Sequence, residues 1–331
     1  MNDRSTADNA IALLAYLRRL PEPRAALDTL ATQLALERAP LFAALAQLRE
    51  WGYRIKDDDG SAHLVASPDR LIDTEISFGL GTRFIGQVMH TYQSVRSTND
   101  LAHSLAESGA AEGTIVTAEE QTKGRGRHGR TWHSPSGSGI YLSIILRPNL
   151  TSEKMPGLSL VTALALAETI NDYCPERVQV KWPNDVLISG RKTAGILTEL
   201  FADRTSLHHV IVGVGINVHQ KPAELPDELR TATTSVGVES RFPVRRVELL
   251  QKFLRQFEID YRDFCTDELA RALPRLRGMS SLIGREVAIE QRGELVHGRA
   301  LDIDRSGRLV VEVDGVKQAV VSGEVRVRAV E

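Results

Sequence analysis

The chain has 331 residues, 42% of them hydrophobic and 25% charged, with a formal net charge of −2. That length accommodates two or three domains with their own cores, and the near-neutral balance excludes a broadly basic protein that coats nucleic acid. The two cysteines, Cys174 and Cys265, lie far apart with no CxxC spacing, which excludes a disulfide framework and a cysteine-built metal site.

Near the N-terminus the apolar stretch 11–17 is short and runs into Arg18 and Arg19. Neither a signal peptide nor a membrane span is predicted, and a soluble cytoplasmic protein is expected. Within residues 1–68, Ile11, Leu14 and Leu17 recur at helical spacing, as do Leu27, Leu30 and Leu34, and then Leu41, Leu45 and Leu48. Pro40 suits the first turn of the third helix. Residues 53–55 and 63–65 flank Asp59-Gly60, the pattern of a hairpin. Three helices and a hairpin outline a winged helix-turn-helix.

Residues 69–278 mix helices and strands. A helix starts at Ser97, with Asp100 three residues on as in a capping box; a longer one covers 158–173. Strand-like runs cover 115–117, 140–146, 178–182, 194–200 and 210–218. Turns at Pro183-Asn184, Ser189-Gly190 and Asp203-Arg204 join the later runs, and connections this short suit antiparallel pairing. Helices on a mainly antiparallel sheet are therefore expected. Pro243 opens a long amphipathic helix with Val247, Leu250, Leu254, Phe257, Tyr261 and Phe264 on one stripe. Residues 279–331 hold short runs at 287–289, 298–300, 309–311 and 325–327, punctuated by Gly293, 304–307 and Asp314-Gly315. That spells a small barrel, and the whole is α+β.

Residues 123–130 read Lys-Gly-Arg-Gly-Arg-His-Gly-Arg, after Gln121 and before Trp132. Arginine grips phosphate and carboxylate bidentately and stays charged, and glycines let a backbone close on a ligand. The same run also reads as an arginine–glycine contact to nucleic acid. No GxxxxGK[ST] occurs, which excludes a P-loop. In Val180-Lys181-Trp182-Pro183-Asn184-Asp185 a lysine ends a strand and is held by a Trp-Pro pair and a tight turn. Such a cation suits a carboxylate and a phosphate approaching each other; by itself it also reads as a surface lysine, with Asn184 and Asp185 as turn formers. Ser97, Thr98, Asn99 and Gln121 are neutral groups suited to an uncharged polar ligand edge, with helix capping as the other reading of Ser97. In residues 212–218 glycines alternate along a strand up to Asn217, which lets something pack closely or marks a bulge. The histidines form no HExxH-type pattern, and adjacent His208 and His209 point to opposite faces of a strand, so no protein metal site is expected.

In this order and spacing the runs resemble the biotin–protein ligase family, of the bifunctional ligase/biotin operon repressor type (biotin–[acetyl-CoA-carboxylase] ligase). Trp132-His133-Ser134-Pro135, Gly190-Arg191-Lys192, Ala194-Gly195-Ile196-Leu197 and Gly215-Ile216-Asn217 complete the match, which covers nearly the whole chain. The resemblance implies a winged helix-turn-helix at 1–68, a biotin/lipoate ligase-like catalytic domain at 69–278 and an SH3-like β-barrel at 279–331. It implies ATP-dependent formation of biotinyl-5'-AMP and transfer of biotin to a lysine of the biotin carboxyl carrier protein. Biotin and ATP are then substrates, with Mg²⁺ bridging phosphates. Arg125, Gly126, Arg127 and Lys181 are implied on the side of biotin's carboxylate and the activated phosphate, Lys181 and Arg127 being catalytic. Ser97, Thr98, Asn99 and Gln121 are implied at the ureido ring and its neighbouring edges. Arg127, Arg130, Trp132, Lys192 and Asn217 are implied along the adenylate. The carrier amine displaces AMP directly, so no covalent enzyme intermediate is expected.

The departures lie in residues 1–68. A helix that reads DNA presents polar or basic side chains, whereas residues 38–44 offer Arg38 and mainly alanines. The wing carries Asp57-Asp58-Asp59, and the region holds 8 Lys and Arg against 9 Asp and Glu. Operator DNA, a partner the resemblance implies, is disfavoured by these residues. A homodimer is left open. So are two other readings: a transcriptional repressor that senses biotinyl-adenylate as its main role, and a lipoate–protein ligase.

Overall fold

The computed structural model describes residues 5–202, 207–291, 294–321 and 325–329. They fall into two compact units, Met1–Asp69 and Arg70–Glu331. The turns expected at Asp203-Arg204 and Gly293 lie outside the described residues.

The first unit runs α1 (Thr6–Arg19), β1 (Arg24–Ala26), α2 (Leu27–Leu34), α3 (Arg38–Glu50), β2 (Arg54–Asp58) and β3 (Ser61–Ala66). Ser5 and Asp8 close a capping box at the start of α1. Leu13, Leu14 and Leu17 of α1 pack with Leu30, Leu41, Leu45 and Leu48. Ile11, expected on the same stripe, is 40% exposed, because Ala10 occupies the inward position and Ile11 sits about 100° further round the helix. Asp59 and Gly60 both take positive φ, as a two-residue hairpin turn requires. The unpredicted β1 adds a third strand beside β3.

The second unit continues with α4 (Asp73–Ser77), β4 (Met89–Val95), α5 (Thr98–Glu107), β5 (Ile115–Gln121), β6 (Gly139–Leu146), α6 (Met155–Asn171), β7 (Val178–Lys181), β8 (Asp185–Ile188), β9 (Arg191–Ala202) and β10 (Leu207–Asn217). Then come α7 (Val236–Glu239), α8 (Arg246–Asp267) and α9 (Leu273–Met279). The strands form one sheet in the order β4-β5-β6-β10-β9-β8-β7. Every pairing is antiparallel except β4 with β5, where α5 supplies the crossover.

Alternation gives this sheet two different faces. Val210, Val212, Val214 and Ile216 of β10 join Ile140, Leu142 and Ile144 of β6 in the large core beneath α6 and α8. The opposite face buries Ile145 and Ile211 under Ala102 and Ala106 of α5. A buried ion pair, Arg246 on α8 to Glu119 on β5 at 2.7 Å, fixes β5 two residues ahead of Gln121. The amphipathic helix expected after Pro243 is α8, with Leu250, Phe253, Leu254, Phe257 and Phe264 buried.

The C-terminal strands are β11 (Glu286–Gln291), β12 (Glu294–Ile303), β13 (Leu309–Val313), β14 (Val316–Val320) and β15 (Val325–Ala329). They pair antiparallel in the order β14-β13-β12-β11-β15. This sheet meets the main one through Trp182, whose buried indole donates to the Gly307 carbonyl at 2.9 Å. No helix among the described residues is long and apolar enough to cross a membrane.

Candidate active site

All twelve residues singled out in the sequence line one cavity of about 660 Å³ on the α5-bearing face of the main sheet. Its floor is built by omission. On this face β10 presents Gly213 and Gly215, and Gly215 pairs across the ladder with Gly195 of β9. A β-carbon at Gly213 would lie 2.2 Å from Asn99 Oδ1, and one at Gly215 would lie 2.5 Å from the Trp132 indole. The glycines therefore make room for two side chains that the cavity needs. Trp132 Nε1 is buried and has no hydrogen-bond partner among the described residues. The Lys192 ammonium stands 5.4 Å from the Trp132 ring centroid and pairs with Asp185 at 2.6 Å. Asn217, buried at the end of β10, donates to the Thr234 carbonyl at 3.3 Å.

At the start of α5 the polar groups hold one another. The Ser97 side chain makes no capping hydrogen bond, which corrects the capping box expected with Asp100. Gln121 takes that part instead: its Oε1 accepts from the Thr98 N–H at 2.9 Å and the Thr98 hydroxyl at 3.1 Å. Its Nε2 donates to Ser134 at 3.0 Å. The Ser143 hydroxyl lies 2.8 Å from Thr98 Oγ1 and 2.6 Å from Asn99 Oδ1. Asn99 Nδ2 donates to Glu199 at 2.6 Å. Thr98, Asn99 and Gln121 are thus pre-set by hydrogen bonds in a mostly buried setting beside Ser97, as recognition of an uncharged polar edge requires.

The cations arrive from two chain segments. In the Gly-Arg loop, Arg125 makes a two-pronged contact to Glu199, both prongs at 2.8 Å, and a second ion pair to Asp100 at 2.7 Å. Arg127 donates to Asn184 Oδ1 at 3.1 Å. Burial lowers the pKa of its guanidinium from the ordinary value, against the opposing pull of Asp185. A cation stripped of water in this way favours an incoming anion. Lys181 ends β7 and is half-buried in the cavity wall. The turn behind it is held by the anchored Trp182, a cis Trp182-Pro183 bond and Asn184 Nδ2 donating to the Ile196 carbonyl at 2.8 Å.

Several residues of this site escaped the sequence reading. Ser134, Ser143 and Glu199 bind the predicted residues from neighbouring strands and turns. Asn184 and Asp185, read there as turn formers, also face Arg127 and Lys192. The only hint was alternation along β9, which sets Glu199 on the face of Gly195 and Leu197. His209 is buried while His208 is exposed, and both lie away from the cavity lining.

Comparison with known proteins gives consistent matches. Residues 91–217 match the biotin/lipoate A/B protein ligase family, and residues 282–328 match the biotin protein ligase C-terminal domain. The bifunctional ligase/repressor BirA of Bacillus subtilis is 37% identical over 287 residues, covering 86% of this chain and 88% of that protein. The biotin–[acetyl-CoA-carboxylase] ligase of Mycobacterium tuberculosis is 36% identical, covering 77% of this chain and 93% of the relative. Among solved structures, the Aquifex aeolicus biotin protein ligase in complex with biotin and ATP superposes with a TM-score of 0.65 at 28% identity. That match covers 74% of this chain and all of the other.

Proposed function

The chain belongs to the biotin protein ligase family, and from that premise we propose how its cavity carries out the reaction. The protein is a biotin–[acetyl-CoA-carboxylase] ligase that binds biotin and ATP. Ligation proceeds in two displacements. A biotin carboxylate oxygen attacks the α-phosphorus of ATP, and pyrophosphate leaves. The deprotonated amine of a carrier lysine then attacks the acyl carbon of biotinyl-5'-AMP, and AMP leaves.

Both reactants of the first step are anionic, so their approach needs fixed positive charge in a site shielded from water. We assign that work to Lys181 and Arg127, with Gly126 giving the loop backbone close access. Arg125 lines the same cavity, its guanidinium engaged by Glu199 and Asp100. Ser97, Thr98, Asn99 and Gln121 receive the ureido ring and its neighbouring edges. Arg130, Trp132, Lys192 and Asn217 line the adenylate side, where the unpartnered Trp132 Nε1 offers a donor. A Mg²⁺ ion carried on the triphosphate would neutralise phosphate charge, and Asp185, a carboxylate of the cavity lining that pairs with Lys192, would be available to hold it. The acceptor is the biotin carboxyl carrier protein of a biotin-dependent carboxylase. We also divide the second unit into a catalytic domain to about residue 278 and a C-terminal module from 279.

The observation that carries these assignments is the convergence of twelve residues, from segments up to 120 positions apart in sequence, on one cavity. The test is ATP-dependent transfer of labelled biotin to a purified carrier domain by wild type, Lys181→Ala and Arg127→Ala. Wild type transfers, and each variant loses about a hundredfold or more in kcat/KM. Variants that retained wild-type rates would remove these two residues from the mechanism.

A further inference from the structure

Arg125 of the Gly-Arg loop is claimed by two carboxylates of the protein itself. Its two terminal nitrogens meet both oxygens of Glu199, and Nη2 also meets Asp100. One positive charge against two carboxylates leaves nothing with which to hold a further anion. A bidentate arginine–carboxylate pair is instead a geometric clamp, since two parallel hydrogen bonds fix distance and direction together.

Glu199 has a second attachment. The oxygen that accepts from Arg125 Nη2 also accepts from Asn99 Nδ2 at 2.6 Å. With Ser143 donating to Asn99 Oδ1 and Gly213 leaving space only for that carboxamide, the orientation of the Asn99 amide is determined by its neighbours. One carboxylate on a rigid strand thus joins the mobile-composition loop to the polar tetrad. Its side chain is 23% exposed, against 42% for Arg125, so the clamp is partly sheltered from competing water and salt.

We infer that Glu199 is a positioning residue for ligation, anchoring the Gly-Arg loop through Arg125 and setting the orientation of the Asn99 carboxamide. The inference rests on the cavity being the biotin site. Glu199 touches no reacting atom; it acts through the two residues it holds. Its loss shows in biotin recognition and loop exposure more than in the chemical step.

The experiment compares wild type, Glu199→Gln and Asp100→Asn by tryptic nicking within residues 123–130, by biotin KM and kcat in carrier transfer, and by Tm. In Glu199→Gln, nicking rises severalfold and biotin KM rises about tenfold, the loss expected for a charge-assisted hydrogen bond. Its kcat falls less than about threefold and its Tm stays within about 2 °C. Asp100→Asn, which touches Arg125 and not Asn99, raises nicking but keeps biotin KM within about twofold. Unchanged nicking and KM in Glu199→Gln, or a joint fall of kcat, affinity and Tm, overturns the inference. Were wild type to transfer no biotin at all, the ligase reading would fail, while the nicking comparison still decided whether Glu199 anchors the loop.

Discussion

A single methyl group separates the two halves of the cavity floor. Gly213 and Gly215 lie two residues apart on one face of β10, yet one backs Asn99 and the other backs Trp132. Adding a β-carbon at each position therefore injures different substrates. Gly213→Ala pushes the Asn99 carboxamide out of its socket, and biotin KM rises about tenfold or more with ATP KM nearly unchanged. Gly215→Ala tilts the Trp132 indole, and ATP KM rises by a similar factor with biotin binding within about twofold. Steady-state kinetics on both substrates checks the crossing pattern. Equal losses in both variants would mean that the floor acts as one piece. The same two positions show how a site is written in sequence. Val210, Val212, Val214 and Ile216 supply the core, and beyond Ile211 the alternate slots become Gly213, Gly215 and Asn217 where a core strand would carry bulk, so alternation marks the cavity face. For Glu199 alternation gives the face but not the partner, because Arg125 lies 74 residues away and no local spacing announces their meeting.

Helix α5 is held to the sheet by a device that depends on pH. His103 on α5 and His209 on β10 face each other with Nδ1 and Nε2 3.0 Å apart, and Phe201 of β9 stacks on both rings. Two ring nitrogens at that distance fit one hydrogen bond, supplied by a single N–H. Around them stand Arg147, His208 and Glu107, the last 3.7 Å from His103. Burial first, then His103 and Arg147, lower the pKa of His209. The unfolded chain, with a histidine pKa near 6.5, then binds more protons than the folded one as pH drops below about 6.5. Folded stability is therefore full at neutral pH and declines on acidification, by at most about 1.4 kcal/mol per pH unit for one proton. Tm measured between pH 7.5 and 5.5 falls for wild type and falls less for His209→Phe; an equal slope in both would clear the pair of this part. Elements were legible in the sequence wherever apolar period was strong, as in α8 and β10. Strand β4 was missed because Met-His-Thr-Tyr-Gln-Ser-Val is a half-buried edge with no clean alternation. Its parallel pairing was hidden too, since short turns announce antiparallel neighbours only.

Across the whole molecule, charge decides what the first unit can bind. Helix α3 turns Arg38, Ala39, Phe42, Ala43 and Ala46 outward, and β2 runs through Asp57 and Asp58 into Asp59 of the hairpin turn. Few phosphates can be neutralised by such a surface. Duplex binding, measured between 50 and 200 mM salt, is expected to weaken no more than about tenfold, as for some two phosphate contacts. A loss of a thousandfold would overturn this reading of the first unit. The second unit poses a different question, because Trp182 leans on Gly307, 125 residues downstream. The lysine beside that indole is braced from the turn between β12 and β13. The C-terminal sheet is therefore a strut for the cavity wall as well as a module of its own.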